Sequence, residues 1–482
     1  MDEGILSSLS DVNKDLKKEY KSFRNRIQSI LLDNAFLKKS VIPRFPDFPL
    51  VPNERCGLWY CDPSDFTRTS YFKSTDGHVN MWDFSTRRLN FHILPLIEEK
   101  NGLIIVDSTR RGKTMPDALS KTVPIWCAVL NTLMVESSPQ KVDRQVLFLP
   151  PGILTVSECD RISKRIPELV DKLKRIDVID GKTLYQRFNG RLLRPLWVFP
   201  GSPLLQASTD PFTGRIVQEK WETAEDERII PIVLCTVSYK AQDGVDKRHG
   251  FTYVQGAADD HELWSCGLTS QMLWDNLNFL GDPTKSDDSL HTFVRQLVSK
   301  KERNIDSSSF SNAFPCINHI TRELVLGRVV DGLDIKSEMV RMLAQEYSLV
   351  IILSKNVTLS VVNERTSDII KIYPLQSGCK RSSKDLRGKL PEISSLISNH
   401  IRSLKCRDKP ILVSCNSATD MSIGVLLSVL CSNYQLDWYL QAPTNVNKII
   451  IRKHLTKLIT LLEDRNVNPS RATLNSVNSY LM

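Results

Sequence analysis

The chain of 482 residues has no Cys-x-x-Cys pair, no basic amino-terminal leader, no repeat of fixed period and no apolar run near the ~20 residues that cross a bilayer. Each absence removes a class. Eleven cysteines are scattered singly, an odd number, so a disulfide framework is not expected. Cys56 and Cys61 have metal-like local spacing but no second pair, and reduced thiols rather than zinc ligands follow. The start, Met-Asp-Glu-Gly-Ile, is acidic where a signal peptide is basic, and the run Ile423–Cys431 is short enough for a buried helix. A cytoplasmic protein without a membrane partner is expected, with the nucleus as the other compartment. Oligomeric state leaves no trace in the sequence.

Enough apolar material is present for a large core: hydrophobic residues make up 41% and charged residues 25%, too apolar for a largely disordered chain. At roughly 150 residues per domain, two to four domains are expected. The 64 Lys and Arg exceed the 55 Asp and Glu by nine, and the excess is unevenly placed. Residues 161–194 carry ten basic and four acidic side chains and residues 379–409 nine and three, so these stretches hold +12 and the remainder −3. That asymmetry suggests a polyanionic partner such as nucleic acid.

Residues 4–39 repeat apolar positions at three- and four-residue intervals (Ile5, Leu9, Val12, Leu16, Tyr20, Phe23), as helices do, until the proline-rich piece Pro43–Pro52. From Cys56 to about Leu280, short β-rich runs at Leu103–Val106, Gln145–Leu149, Leu196–Phe199 and Ile229–Val233 alternate with helical stretches. A polar, serine-rich segment, Glu302–Asn312, reads as a connection. Beyond it, strands are expected at Leu349–Leu353, Ile369–Tyr373 and Pro410–Ser414, with helices at Leu390–Leu404 and near 422–432, 445–463 and 470–481. The expected architecture is α/β: a helical segment over 1–42, a large α/β domain over 43–301, a connection over 302–340, and a second α/β domain over 341–482 with a central sheet flanked by helices.

The strongest local signal is Gly102-Leu-Ile-Ile-Val-Asp-Ser-Thr-Arg-Arg-Gly-Lys-Thr114, a buried strand ending in an acid, then a loop of hydroxyls, guanidinium groups, glycine and lysine, then a helix. Such a loop at the carboxyl end of an α/β strand suits phosphate, through backbone N–H groups, the helix start and Arg forks. It is not a nucleotide-triphosphate P-loop, because the position of the first glycine is Asp107. Upstream, Lys73-Ser-Thr-Asp-Gly-His78 is a tight turn in which Asp76 or His78 could accept a proton. In Tyr253–Trp264, three carboxylates (Asp259, Asp260, Glu262) and His261 occupy consecutive positions; they read either as the acidic first turn of a helix or as contacts for Mg²⁺ bound together with pyrophosphate oxygens. Finally, Ile411-Leu-Val-Ser-Cys415-Asn-Ser-Ala-Thr-Asp420-Met421-Ser422 looks like the Cys-x5-Arg-Ser/Thr loop of protein tyrosine and dual-specificity phosphatases, with Met421 where the phosphate-clamping arginine belongs. The loop is expected to survive as architecture rather than as a working phosphatase.

Taken together, Phe72–His78, Asp107–Lys113, Ser120-Lys-Thr-Val-Pro-Ile-Trp126, Tyr253–Trp264 and the degenerate loop at Cys415 resemble the initiator-tRNA 2′-O-ribosyl phosphate transferase family, from about residue 10 to the end. The resemblance implies a pentosyltransferase that moves 5-phosphoribosyl from phosphoribosyl pyrophosphate to the 2′-hydroxyl of a T-stem adenosine in initiator methionine tRNA, which keeps that tRNA out of elongation. For that reaction the residues themselves suggest Ser108, Thr109, Arg110, Arg111, Gly112 and Lys113 for the phosphates, with Lys121 assisting and Arg111 and Lys113 also counted as catalytic. Asp107, Asp259, Asp260 and Glu262 are the candidates for Mg²⁺, and Asp76 or His78 for the base. Lys172, Lys174, Arg175, Arg191 and Arg194 in the first basic stretch, and Lys380, Arg381 and Lys384 in the second, are the candidate tRNA contacts. The competing expectation is a non-catalytic RNA-binding protein on a dead phosphatase-like scaffold.

Overall fold

The computed structural model describes residues 20–74, 82–139, 144–206, 208–209, 216–217, 221, 228–301, 309–360, 368–403, 409–443, 445–462 and 465–482. They fall into two units, one drawn from Met1–Ser85, Ile93–Arg175 and Ile179–Val298, the other from Thr86–His92, Ile176–Val178 and Ser299–Met482.

In the first unit the strands Leu50–Pro52 (β1), Leu103–Asp107 (β2), Leu192–Val198 (β3) and Ile229–Thr236 (β4) form a wholly parallel sheet in the order β1-β2-β4-β3. β2 is buried at every residue and β4 at all but its first, as interior strands of a parallel sheet covered on both faces must be. Helix Phe23–Phe36 (α1) is capped by Ser22, whose hydroxyl accepts from the Asn25 N–H. It buries Phe23, Ile27, Ile30 and Phe36 in the core shared with Val106, Val233 and Cys235. The described part of the expected amino-terminal helical segment is thus an integral part of the first core. Downstream of β4, Val245–Arg248 (β5) and Phe251–Val254 (β6) form an antiparallel hairpin.

Ala118–Glu136 is one 19-residue helical stretch with a mean hydropathy of 1.4 over its apolar window, long enough to cross a bilayer, yet 78% of that window is buried within the protein. In the sequence, Lys121, Pro124, Asn131 and Thr132 break up this apolar run, which is why Ile423–Cys431 stood out instead. Its main part, Val123–Glu136 (α2), is a core helix; the Asn131 side chain is satisfied by the Val146 and Leu193 carbonyls and the Leu193 N–H. Gln145–Leu149, expected as a strand, pairs with none among the described residues. Helix Val156–Lys174 (α3) follows and carries much of the first basic stretch.

The second unit contains Cys316–His319 (β7), Leu324–Arg328 (β8), Leu349–Leu353 (β9), Ile370–Tyr373 (β10) and Ile411–Cys415 (β11), in the order β10-β9-β11-β8-β7, parallel except for β7 against β8. Two strands of this sheet, and the short strand Asp334–Ile335, therefore lie inside the segment 302–340 that the sequence suggested as a connection. β7 is a four-residue, half-exposed edge, too short and too polar to announce itself. Besides the helix Ser337–Glu346, the unit contains helices Lys380–Arg402 (α4), Met421–Asn433 (α5), Lys448–Leu461 (α6) and Arg471–Leu481 (α7). α4 begins ten residues before the expected Leu390 and accommodates Pro391 within it.

Asp33, on α1, is fully buried, accepts a hydrogen bond from the Tyr253 hydroxyl at 2.8 Å and has no ion-pair partner among the described residues. Burial pushes its carboxyl well above the ordinary range, so the folded protein holds it protonated where the unfolded chain ionises. Its contribution is therefore present below about pH 4, the unfolded value, and is lost as pH rises toward the folded value. Asp33→Asn, which keeps the acceptor, should raise or preserve the thermal midpoint at neutral pH and flatten its decline between about pH 5 and 7. An unchanged pH profile in thermal melts contradicts this assignment.

Candidate active site

β2 delivers Asp107 to the carboxyl edge of the sheet with its side chain fully buried, and three donors close on it. The Asn53 amide donates at 2.8 Å, the Cys56 thiol at 2.9 Å and the Ser108 N–H at 2.8 Å, while Arg55 Nε stands 3.8 Å away. Burial, and then the neighbouring Asp107 charge, push the Cys56 thiol well above its ordinary value, so it stays protonated and serves as a donor. The turn that carries Asn53, Arg55 and Cys56 sits hard against β2: a Cβ on Gly57 would lie 2.2 Å from the Val106 carbonyl oxygen.

The loop after Asp107 is held from within. The Thr109 N–H donates to Ser238 Oγ at 2.9 Å, the Gly112 N–H to Gln255 Oε1 at 2.8 Å and the Lys113 N–H to the Arg110 carbonyl at 3.3 Å. Arg111 and Gly112 both take the left-handed conformation, and a Cβ on Gly112 would come within 2.8 Å of the Gln242 carbonyl oxygen. The expected cradle of backbone N–H groups is thus largely spent on shaping the loop. What projects is guanidinium: Arg110 half-exposed and Arg111 exposed.

Arg110 meets the acidic segment. Its Nε lies 2.8 Å from Asp259 Oδ2 and its Nη1 2.5 Å from Asp260 Oδ2, while Arg55 Nη1 reaches Asp259 Oδ1 at 3.5 Å and Arg55 Nη2 donates to the Ser108 carbonyl at 3.3 Å. Burial pushes the Asp259 carboxyl up, against the pull of the two arginines. The turn is fixed from below: the Ala258 N–H donates to the Tyr60 hydroxyl at 3.1 Å, Arg26 donates to the Ala257 carbonyl at 2.6 Å, and the Trp264 indole donates to the Asp259 carbonyl at 3.2 Å. The acids do not begin a helix at Trp264; Asp259 and Asp260 precede, and Glu262 lies within, a single 3₁₀ turn, His261–Leu263. Glu262 stands apart, 76% exposed, beside His261.

Among the described residues no three His, Cys, Asp or Glu side chains are grouped to hold a metal ion. Asp107 is enclosed by donors and Asp259 and Asp260 face arginine, so the four expected Mg²⁺ contacts do not form a protein-built metal site. Lys121 is also engaged, 2.8 Å from Glu158 and 3.4 Å from Asp117, and Lys113 lies 3.6 Å from Asp117. Asp76 and His78 lie outside the described residues, but the start of their motif is placed. The Phe72 N–H donates to Asn53 Oδ1 at 2.7 Å, and the Lys73 carbonyl accepts from Thr122 at 2.8 Å. Asn53 and Thr122 thereby hold Phe72 and Lys73, the residues at which that motif begins.

The first basic stretch is mostly occupied by internal partners. Lys172 pairs with Asp83 at 2.6 Å and Lys174 with Glu136 at 2.7 Å; Arg191 donates to Asn101 at 2.7 Å, and Arg194 lies over the Phe148 ring at 3.9 Å. Arg175 caps the carboxyl end of α3. In the second unit, Lys380 and Arg381 open α4, with Lys384 one turn on.

The phosphatase-like loop is closed. Cys415, at the end of β11, has no exposed surface; its sulfur receives the Ala418 N–H at 3.2 Å and lies 3.0 Å from Ser422 Oγ and 3.4 Å from Ser377 Oγ. Burial pushes this thiol up, but the hydrogen bonds from Ser377 and Ser422 bring it below its ordinary value without any arginine. Met421 is fully buried in the core at the head of α5. Asp420 turns inward, accepting from the Ser470 N–H at 2.9 Å, Thr473 Oγ1 at 2.6 Å and the Gly378 N–H at 3.3 Å.

Sequence reading missed Arg55, Asn53 and Gln255, and weighed Cys56 only as a metal ligand rather than as a donor to Asp107. The strand that positions Asn53, Arg55 and Cys56 is only three residues long and ends in Pro52, so it carries no strand signal. Gln255 sits in the singled-out Tyr253–Trp264 segment, where the carboxylates drew attention.

The fold and site define a two-unit α/β protein: an arginine-rich strand–loop arrangement in one unit, a sealed phosphatase-like loop in the other. The Rit1 N-terminal domain family matches residues 16–299 and the Rit1 DUSP-like domain family residues 370–481, and the chain belongs to the Rit1 family. The tRNA A64-2′-O-ribosylphosphate transferase of Saccharomyces cerevisiae is 57% identical over 494 residues, covering 100% of this chain and 96% of that one. An uncharacterized protein of Schizosaccharomyces pombe is 35% identical over 469 residues, covering 95% and 94%. Among solved structures, the Yvh1 phosphatase domain from Chaetomium thermophilum aligns with a TM-score of 0.26 at 15% identity, covering 34% of this chain and 95% of that one.

Arg55, 21% exposed, bridges two carboxylates, and its removal leaves Asp107 and Asp259 without it in a buried setting. Arg55→Ala should cost about 3 kcal/mol of stability, whereas Arg111→Ala at an exposed position should leave the thermal midpoint unchanged. Equal midpoints for the two variants would show that the network does not hold the loop.

Proposed function

We propose that the protein is a tRNA-modifying pentosyltransferase that moves 5-phosphoribosyl from phosphoribosyl pyrophosphate onto the 2′-hydroxyl of a T-stem adenosine in initiator methionine tRNA. The observation that carries this is the 57% identity, over the whole chain, to a tRNA A64-2′-O-ribosylphosphate transferase. The arginine loop suits such a donor.

Departure of pyrophosphate leaves oxocarbenium-like charge on C1 of the ribose, so the reaction needs a positioned donor and a neutralised leaving group more than a strong nucleophile. Arg110 and Arg111 supply that neutralisation in this reading, with Lys113 beside them at the loop's end. Arg110 is already clamped by Asp259 and Asp260, so its guanidinium is oriented before the donor arrives, and donor phosphate competes with those carboxylates. A Mg²⁺ ion would enter with the pyrophosphate, whose oxygens are its usual ligands beside one or two carboxylates. Asp76 or His78 remains the proposed base for the ribose hydroxyl, on a motif whose first residue is anchored to Thr122. The cytoplasm, where initiator and elongator tRNAs are told apart in translation, is the proposed compartment.

Radiolabelled phosphoribosyl pyrophosphate, Mg²⁺ and unmodified initiator tRNA should give labelled tRNA, and elongator tRNA should stay unlabelled; label in neither overturns the proposal in favour of a binding-only role. Arg111→Ala should lower transfer by at least a hundredfold, the scale of losing one charged transition-state contact. Cys415→Ser should leave transfer nearly intact, and the reverse pattern would move the chemistry to the second unit.

A further inference from the structure

We propose that the second unit holds a backbone phosphate of the tRNA substrate in a surface cavity formed where α4 and α7 begin, beside the sealed Cys415 loop but separate from it. The identity of the partner rests on the transferase reading above; the anion site itself rests on the geometry that follows.

The cavity, of about 340 Å³, is lined by Cys379, Ser383, Lys384, Ser470, Arg471 and Asn475, and no acid lines it. Lys384 and Arg471 are exposed, and among the described residues neither has an ion-pair partner. This distinguishes them from Lys172 and Lys174, whose charges are met by Asp83 and Glu136. The buried carboxylate of Asp420 lies behind the lining, where it accepts from the Ser470 N–H, the Gly378 N–H and Thr473, and it forms no ion pair with either cation among the described residues. Asp385 follows Lys384 on α4 but is not part of the lining.

One further feature favours a polymer of phosphates over a small free anion. Arg381, Lys384 and Arg387 recur at three-residue intervals along α4, all exposed, so cations continue along the helix from the cavity. A single phosphate would use only the cavity; an RNA backbone uses the row. Cys379, at the cap of α4, is half-buried in the cavity lining. The phosphatase-like loop cannot serve the same purpose, since Cys415 and Met421 have no exposed surface.

Cys379 is also a reporter. Initiator tRNA should slow its alkylation by iodoacetamide, read at the Cys379 peptide by mass spectrometry, at least fivefold, whereas inorganic phosphate at matched ionic strength should slow it far less. The double variant Lys384→Ala/Arg471→Ala, with a thermal midpoint equal to that of the parent protein, should bind tRNA about tenfold more weakly, the loss of one charged hydrogen-bonded contact. Its log–log salt slope should be shallower by about 1, as for one lost phosphate. Unchanged tRNA affinity and slope overturn the proposal. Protection of Cys379 by phosphate as complete as that by tRNA overturns the RNA assignment in favour of a small phosphorylated ligand. A parent protein that binds tRNA and protects Cys379 but transfers no label would refute the transferase reading and leave this site standing.

Discussion

The candidate active site depends on one buried carboxylate. Asp107 ends a strand that is enclosed on both faces, and a charge in that position is tolerable only if donors surround it. Asn53, Cys56 and the Ser108 N–H do so, and Arg55 stands next to it. Each of these contacts also does something else: Asn53 secures Phe72 at the entrance to the Asp76–His78 motif, Ser108 sets the start of the arginine loop, and Arg55 reaches across to Asp259. Segments far apart in sequence are thereby gathered at one edge of the sheet by the need to satisfy a single side chain.

From this anchor the electrostatics of the site follow. Arg110 is oriented by Asp259 and Asp260, so the loop presents cations whose geometry is set in advance and whose charge is partly offset until a stronger anion arrives. The loop's N–H groups bond to Ser238, Gln255 and its own carbonyl and are therefore structural. Under the proposed function, phosphate would be met here by guanidinium groups more than by backbone N–H groups. In the second unit the opposite holds: the loop that in a phosphatase would grip phosphate is packed shut around Cys415, and surface cations without an ion-pair partner among the described residues lie at the neighbouring helix starts.

Much of this was legible in the sequence, for physical reasons. Leu103–Asp107 and Ile411–Cys415 are interior parallel strands, which read as unbroken apolar runs, and the residues after each are the loops that carry chemistry. Short or edge elements were not legible: β1 is three residues with a proline, β7 is four half-polar residues, and neither has a periodicity to detect. Arg55 went unnoticed because its strand did. The acidic trio reads in sequence as a helix start or as Mg²⁺ contacts, but the sequence could not show that arginines 55 and 110 face Asp259 and Asp260, since that pairing spans some 150 to 200 residues of chain. Similarly, a count of basic residues cannot tell Lys172, already bonded to Asp83, from Lys384, whose charge faces a cavity.

A crystal structure with phosphoribosyl pyrophosphate bound tests the central claim most directly, namely that the loop anchored by Asp107 is where the donor's phosphates are held. The account predicts phosphate oxygens on the guanidinium groups of Arg110 and Arg111, with Arg110 released at least partly from Asp259 and Asp260 and Asp107 unmoved. Donor phosphates bound away from this loop, with the Arg110–Asp259 pair intact, would contradict it.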